Sequence, residues 1–111
     1  MHRHSRFLGI LAVAVISLSA CSKIEREFHL YQATKAHDKG DYKTAIVKYK
    51  EVIRSNPKDE TVLYNLGVAY VYNKQIEKAR EQVRKLKALE HEDYAGLLQE
   101  IIDNAADQAR E

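Results

Sequence analysis

Few groups in this 111-residue sequence could do chemistry, and the single cysteine, Cys21, is the most reactive of them. A thiolate can be alkylated, but one cysteine forms neither an internal disulfide nor a thiolate metal cluster. His29 and His37 stand in one segment and His91 stands alone, whereas a zinc site needs about four closely spaced ligands. The four glycines are isolated, which argues against a phosphate-binding loop. We therefore predict no enzyme activity, no metal ion and no cofactor.

The residues before Cys21 have the organisation of a targeting sequence. Two arginines make the start positive, and no acidic residue occurs before Glu25. The stretch from Phe7 to Ala20 is mostly apolar, but it is shorter than the roughly 20 residues that span a bilayer. The pattern predicts a signal peptide over residues 1–20.

Directly before the thiol, Leu18-Ser19-Ala20-Cys21 resembles the bacterial lipobox. The resemblance implies cleavage between Ala20 and Cys21 by a peptidase that needs small side chains, and attachment of a palmitate-type lipid to Cys21. It also implies a lipid-anchored cell-envelope protein. Ser22 follows the cysteine where aspartate would favour the inner membrane, so the resemblance favours the periplasmic face of the outer membrane in a Gram-negative organism. The alternative is an ordinary signal peptide followed by an incidental cysteine.

On this interpretation residues 21–23 are the lipidated N-terminus and a short tether, and the folded domain occupies residues 24–111. Three peptide steps reach about 10 Å. We therefore expect the domain to lie against the membrane, with Lys23 and Arg26 facing anionic headgroups.

The remainder of the chain repeats itself after 34 residues. A shift of 34 places Ala45 on Ala79, Tyr49 on Val83 and Val52 on Leu86. Turn residues precede this segment at Gly40-Asp41, and Asn56-Pro57 interrupts the helix after it. The periodicity predicts five helices, over residues 24–38, 42–55, 60–72, 76–90 and 93–109.

This pattern resembles the tetratricopeptide repeat (TPR) family, whose unit is a helix-turn-helix of 34 residues. The residues that carry the resemblance are Leu63, Leu66, Gly67, Tyr70 and Ala79 in one unit, and Gly40, Asp41, Tyr42, Ala45, Tyr49 and Pro57 in the other. The resemblance implies an all-α, right-handed solenoid of two TPR-like repeats, at about 26–59 and 60–93, with a capping helix at about 93–109. A helical bundle with accidental periodicity is the alternative.

Some positions depart from the family pattern. His29 and Gln32 stand where large apolar residues are usual, and we expect Ile24 and Phe28 to shift into that space. The second turn, at residues 73–75, lacks a glycine. In the capping helix, one apolar stripe is predicted from Leu97, Leu98, Ile101 and Ile102.

In TPR proteins the first helix of each unit lines a concave groove that binds a protein segment. The resemblance places eight residues of this chain there: Leu30, Thr34, His37, Tyr64, Asn65, Val68, Val71 and Tyr72. Ligand contact is expected from Tyr64, Val68 and either Val71 or Tyr72. The alternative is that the last helix covers them.

Together these features predict an adaptor or assembly factor that is anchored in the envelope and binds another envelope protein or a peptide segment, with self-association as a further expectation. The alternative is a constitutive accessory subunit of a membrane, secretion or pilus complex without a free groove. Nucleic acid is not expected as a partner, because the formal net charge of the whole chain is only +2. The charge is divided instead: residues 21–87 carry net +6 and residues 88–111 carry net −6.

Replacing the thiol tests the anchor. We expect Cys21→Ala to block lipidation and to leave unprocessed precursor in the membrane fraction, because the alkylated cysteine is what the peptidase recognises. Intact-mass measurement of the wild-type and variant proteins checks this. Normal processing of the variant to a soluble protein would contradict the lipobox interpretation.

Overall fold

The computed structural model describes residues 22–111, and the predicted signal peptide and Cys21 lie outside the described residues. The described chain is all α-helical. Its five helices are α1 (22–38), α2 (Tyr42–Ser55), α3 (Glu60–Tyr72), α4 (Ile76–Ala88) and α5 (Glu92–Arg110). The prediction of an all-α fold with TPR-like repeats is confirmed. Four boundaries differ from the prediction. α1 begins at residue 22, so Ser22 and Lys23, expected in a tether, are helical, and α4 ends two residues earlier than expected. α5 begins one residue earlier and ends one residue later than expected.

Three of the four turns close in the same way. Gly40, Lys74 and Glu90 follow α1, α3 and α4 with φ angles of 79°, 62° and 64°. In each case the N–H of the next residue donates to a carbonyl five residues earlier, as Asp41 does to Ala36. This left-handed helix end favours glycine. Lys74 adopts the same geometry as Gly40, which explains how the turn between α3 and α4 forms without a glycine.

Acidic side chains begin α2 and α3. The carboxylate of Asp41 accepts the N–H of Thr44, and that of Asp59 accepts the N–H of Val62. Such N-caps satisfy donors that have no partner within the helix. Asp59 also pairs with Arg26 of α1 at 2.5 Å. Arg26 is therefore engaged by the repeat body through this ion pair.

The core follows the 34-residue repeat. Ala45 and Ala79 are both fully buried, and so are the larger pairs Tyr49 with Val83 and Val52 with Leu86. Small side chains at the first pair let adjacent helices approach closely, and the large ones fill the space beside them. Residues that the 34-residue shift pairs in the sequence therefore occupy equivalent buried positions in the two repeats.

The first repeat does not rearrange as expected. Ile24 and Phe28 are 67% and 56% exposed, so neither fills the space beside His29 and Gln32. His29 instead contacts Glu51 of α2, with Nδ1 2.9 Å from the carboxylate. Polar contacts thus replace apolar packing between α1 and α2 at this position.

The last helix, α5, packs against both α3 and α4. Leu98 and Ile102 are fully buried, whereas Leu97 is 51% exposed, so the predicted four-residue stripe is narrower than expected. Gly67 of α3 lies directly under Leu98. A β-carbon added to Gly67 would collide with the Leu98 side chain, so this glycine sets the distance between α3 and α5.

Gly67→Ala should destabilise the protein by about 1–3 kcal/mol, because overpacking outweighs the higher helix propensity of alanine. Urea unfolding followed by circular dichroism measures the change. Gly96→Ala is the matched control, since Gly96 is exposed in α5 and its β-carbon would meet nothing. We expect the control to be neutral or slightly stabilising.

The Leu98→Ala background isolates the contact. There, Gly67→Ala should cost much less than in the wild-type chain, because the colliding methyl groups are gone. An equal cost in both backgrounds would contradict the assigned role of Gly67.

Candidate protein-binding surface

Two of the eight predicted groove residues belong to one aromatic cluster. The rings of His37, Tyr42 and Tyr72 meet where α1 ends, α2 begins and α3 ends. Tyr42 stacks on Tyr72 at 5.2 Å, and the His37 ring meets both edge-on at 5.2 and 5.8 Å. Tyr72 is still 55% exposed. The cluster therefore presents one tyrosine as an aromatic wall supported by two other rings.

The middle of α3 is covered by α5. Tyr64 packs against Tyr94 with ring centroids 5.4 Å apart, and Val68 packs against the core. Val71 is only 7% exposed. The Tyr64 ring therefore lies in the contact between α3 and α5.

The predicted groove residues of α1 are divided between core and solvent. Leu30 is half-buried against the core, while Thr34 is exposed and its hydroxyl donates to the Leu30 carbonyl at 2.9 Å. Asn65 of α3 is half-buried. None of these three side chains shares the aromatic cluster.

An open groove lies between the C-terminal part of α5 and the turn that joins α3 to α4. It has a volume of about 730 Å³. Its lining is mainly apolar with polar groups at the edge: Val71, Tyr72, Lys74, Ile76, Ile101, Asn104, Ala105, Gln108 and Ala109. We call this the α3–α5 groove. Only Val71 and Tyr72 among its residues were predicted from the sequence.

The groove residues of α5 were missed because that helix was expected to act only as a cap. The sequence nevertheless contains a spacing pattern from which these groove residues could have been predicted. Ile101, Ala105 and Ala109 follow one another at a spacing of four along one side of the helix. Small side chains at Ala105 and Ala109 leave the space that a larger residue would fill.

Neither metal chemistry nor membrane crossing is indicated by the described residues. Among residues 22–111, no cluster of three side chains is arranged to hold a metal ion. No helix in this range is long and apolar enough to cross a bilayer.

The fold and the groove define a class of protein, the helical-repeat protein whose antiparallel helix pairs stack through one continuous core. Residues 36–74 match the profile of a family described as TPR repeat. This segment runs from the end of α1 to the turn after α3, and over it the chain is similar to TPR repeats. Repeats of this kind mediate binding between proteins.

The curated relatives match over a similar length. "BBSome complex member BBS4" is 41% identical over 54 residues in Bos taurus, 34% over 58 in Xenopus tropicalis and 39% over 54 in Mus musculus. These segments cover 49–52% of this chain and only 10–11% of the relatives. The chain is therefore similar to a small part of a larger protein, and membership of that complex is a property of the relative.

The buried hydroxyl of Tyr49 predicts that the thermal stability of the protein depends on pH at the alkaline end. Burial raises the pKa of the Tyr49 hydroxyl, and its hydrogen bond with Thr34 opposes the shift. Because the phenol ionises less readily in the folded state, its contribution to stability is complete below about pH 10 and is lost as the pH rises through the folded-state pKa. Thermal unfolding should therefore show a falling Tm above about pH 10.

Tyr49→Phe should reduce that alkaline loss of Tm, and Tyr31→Phe, which changes a tyrosine that is 60% exposed, should not. If both variants follow the wild-type curve, Tyr49 does not control the alkaline transition.

Proposed function

We propose that this chain is a lipid-anchored protein of the cell envelope that binds a segment of another protein in the α3–α5 groove, as an adaptor or assembly factor. It is not an enzyme on this proposal. The observation that carries it is the groove itself, an apolar concavity with an exposed tyrosine on one side and polar groups at its edge. Exposed aromatic residues beside apolar surface are typical of protein-binding sites.

The groove is suited to an apolar or mixed peptide segment. Tyr72 supplies a rigid aromatic surface, while Ile76 and Ile101 supply aliphatic contact. Lys74, Asn104 and Gln108 can donate hydrogen bonds at the edge. A bound helix or extended segment would therefore bury apolar side chains inside the groove and keep its polar groups at the rim.

The lipid anchor rests on the leader and on Leu18-Ser19-Ala20-Cys21. With the thiol alkylated and α1 helical from residue 22, the repeat body would be held beside the membrane. Placement on the outer membrane of a Gram-negative envelope is the finer part of this proposal and follows from Ser22.

A constitutive subunit is the second candidate function. It is favoured by the packing of Tyr64 against Tyr94, which closes the middle of the concave side, and by the name of the relatives, which describes membership of a complex. Purification from detergent separates the two: a stoichiometric complex that survives size-exclusion chromatography supports the subunit, and weak or substrate-dependent association supports the adaptor.

A pair of neighbouring substitutions tests the groove. Asn104 and Asp103 are both exposed on α5, but only Asn104 lines the groove. We expect Asn104→Arg to weaken partner capture at least about tenfold, the equivalent of 1.4 kcal/mol, and Asp103→Arg to leave it near wild-type. The Asp103→Arg control replaces a negative charge with a positive one, a larger change in charge than Asn104→Arg makes. An effect due to charge alone would therefore be larger in the control.

Capture is measured by photocrosslinking from Gln108 in intact cells, with a crosslinker at Val47 of α2 as the background. Equal capture by both arginine variants would overturn the groove proposal. Loss of helical circular dichroism in the Asn104 variant is checked first, and Ala109→Glu then serves as the second groove variant.

A further inference from the structure

The first helix carries an apolar stripe that no described residue covers. Ile24, Phe28 and Tyr31 are 67%, 56% and 60% exposed. Their spacing of four and then three residues places them on one side of α1. The buried residues Ala33 and Ala36 lie on the side that faces the repeat body. Three large apolar side chains thus point away from the core of their own domain.

The repeat register explains why the stripe is uncovered. Under the 34-residue shift, Phe28 corresponds to Val62, which is 2% exposed because it lies inside the array. α1 also begins earlier than its counterpart: the first residue of α3, Glu60, corresponds to Arg26, whereas α1 is helical from residue 22. Ile24 therefore lies in a helical turn that α3 does not have.

We propose that this stripe, Ile24, Phe28 and Tyr31, lies in the membrane interface and orients the domain on the bilayer. The inference rests on the proposed lipid anchor. Cys21 precedes Ile24 by three residues in the sequence, so the proposed lipid is attached close to the stripe along the chain. The lipid and the three side chains together would hold α1 parallel to the membrane surface, as interfacial helices with one apolar side are held.

The chemistry of the stripe fits a lipid interface. The ammonium group of Lys35 lies 5.5 Å from the centre of the Tyr31 ring, and lysine and tyrosine both combine an apolar body with a polar end suited to the headgroup level. This pair marks the end of the stripe away from the anchor. Ile24 and Phe28, nearer the anchor, would enter the acyl boundary.

Attraction to anionic lipid contributes little in this arrangement. Lys23 and Lys35 are offset by Glu25 and Glu27 on the same helix, and Arg26 is held by Asp59. The stripe therefore acts through apolar burial, and zwitterionic phosphatidylcholine is sufficient as its partner. A second copy of the chain is the competing occupant, and the experiment below separates the two.

Tryptophan fluorescence can read the position of the stripe, because the chain contains no tryptophan. Phe28→Trp and the control Val47→Trp, at an exposed position of α2, are each introduced into the full-length protein. The processed, lipidated proteins are purified in detergent and reconstituted in phosphatidylcholine vesicles. Lipid attachment is verified by intact mass, and helical circular dichroism is compared with wild-type; Tyr31→Trp replaces Phe28→Trp if the latter alters folding.

The stripe proposal predicts that tryptophan at position 28 emits at shorter wavelength in vesicles than at position 47 and is quenched by brominated phosphatidylcholine. The signal should not depend on salt concentration. Equal, water-like emission from both positions in lipidated protein would overturn the stripe and leave the anchor intact. A blue shift at position 28 that grows with protein concentration without vesicles would assign the surface to a second copy and overturn the proposal.

Failure of the anchor has a different signature. Protein without the lipid mass refutes lipidation, and in that protein an unshifted tryptophan at position 28 refutes the stripe as well. A shifted and quenched tryptophan in unlipidated protein supports the stripe as a membrane contact on its own.

Discussion

The contact on which the arrangement of this protein depends is the one between Gly67 and Leu98. A repeat array ends in an exposed apolar face unless another helix covers it, and α5 provides that cover. It can do so closely because Gly67 has no side chain where the Leu98 methyl groups lie. Because the two helices approach closely, Leu98 and Ile102 are fully buried, and the core that begins in the first repeat extends to Ile102 of α5. The same contact also determines which surfaces remain available.

The proposed binding surface is the part of the array that α5 leaves uncovered. Tyr94 closes the middle of the concave side by packing on Tyr64, whereas the small residues later in α5 leave the α3–α5 groove open beside Tyr72. At the other end of the array, α1 is tied to the repeats through Arg26 and Asp59 but presents its apolar stripe outward. The two ends of the described chain are therefore chemically different: one has an open groove that we propose binds a peptide segment, and the other has an exposed apolar stripe that we propose contacts the membrane.

Much of the fold was predictable because the two repeats pack in the same way and use equivalent residues at equivalent positions. Ala45 and Ala79 recur after 34 residues, and each allows the same close approach of helices, so the sequence period reports the spatial period. Prediction was weaker wherever the two halves differ. Lys74 replaces glycine in a left-handed turn, and His29 forms a polar contact where an apolar residue would pack. Phe28 was expected inside by its apolar character, but in the described chain nothing lies on its side of α1.

By itself the sequence determined the helices, their 34-residue register and the small and large core positions that repeat with it, because helix periodicity, turn residues and paired small and large side chains are local properties. It also contained the pattern around Cys21 on which the anchor proposal rests. Only the tertiary structure decided which apolar residues remain exposed. Tyr64 and Tyr72 are the same residue type on the same helix, yet α5 covers the first and leaves the second open. Exposure depends on how helices distant in sequence pack together, and no local pattern records that arrangement.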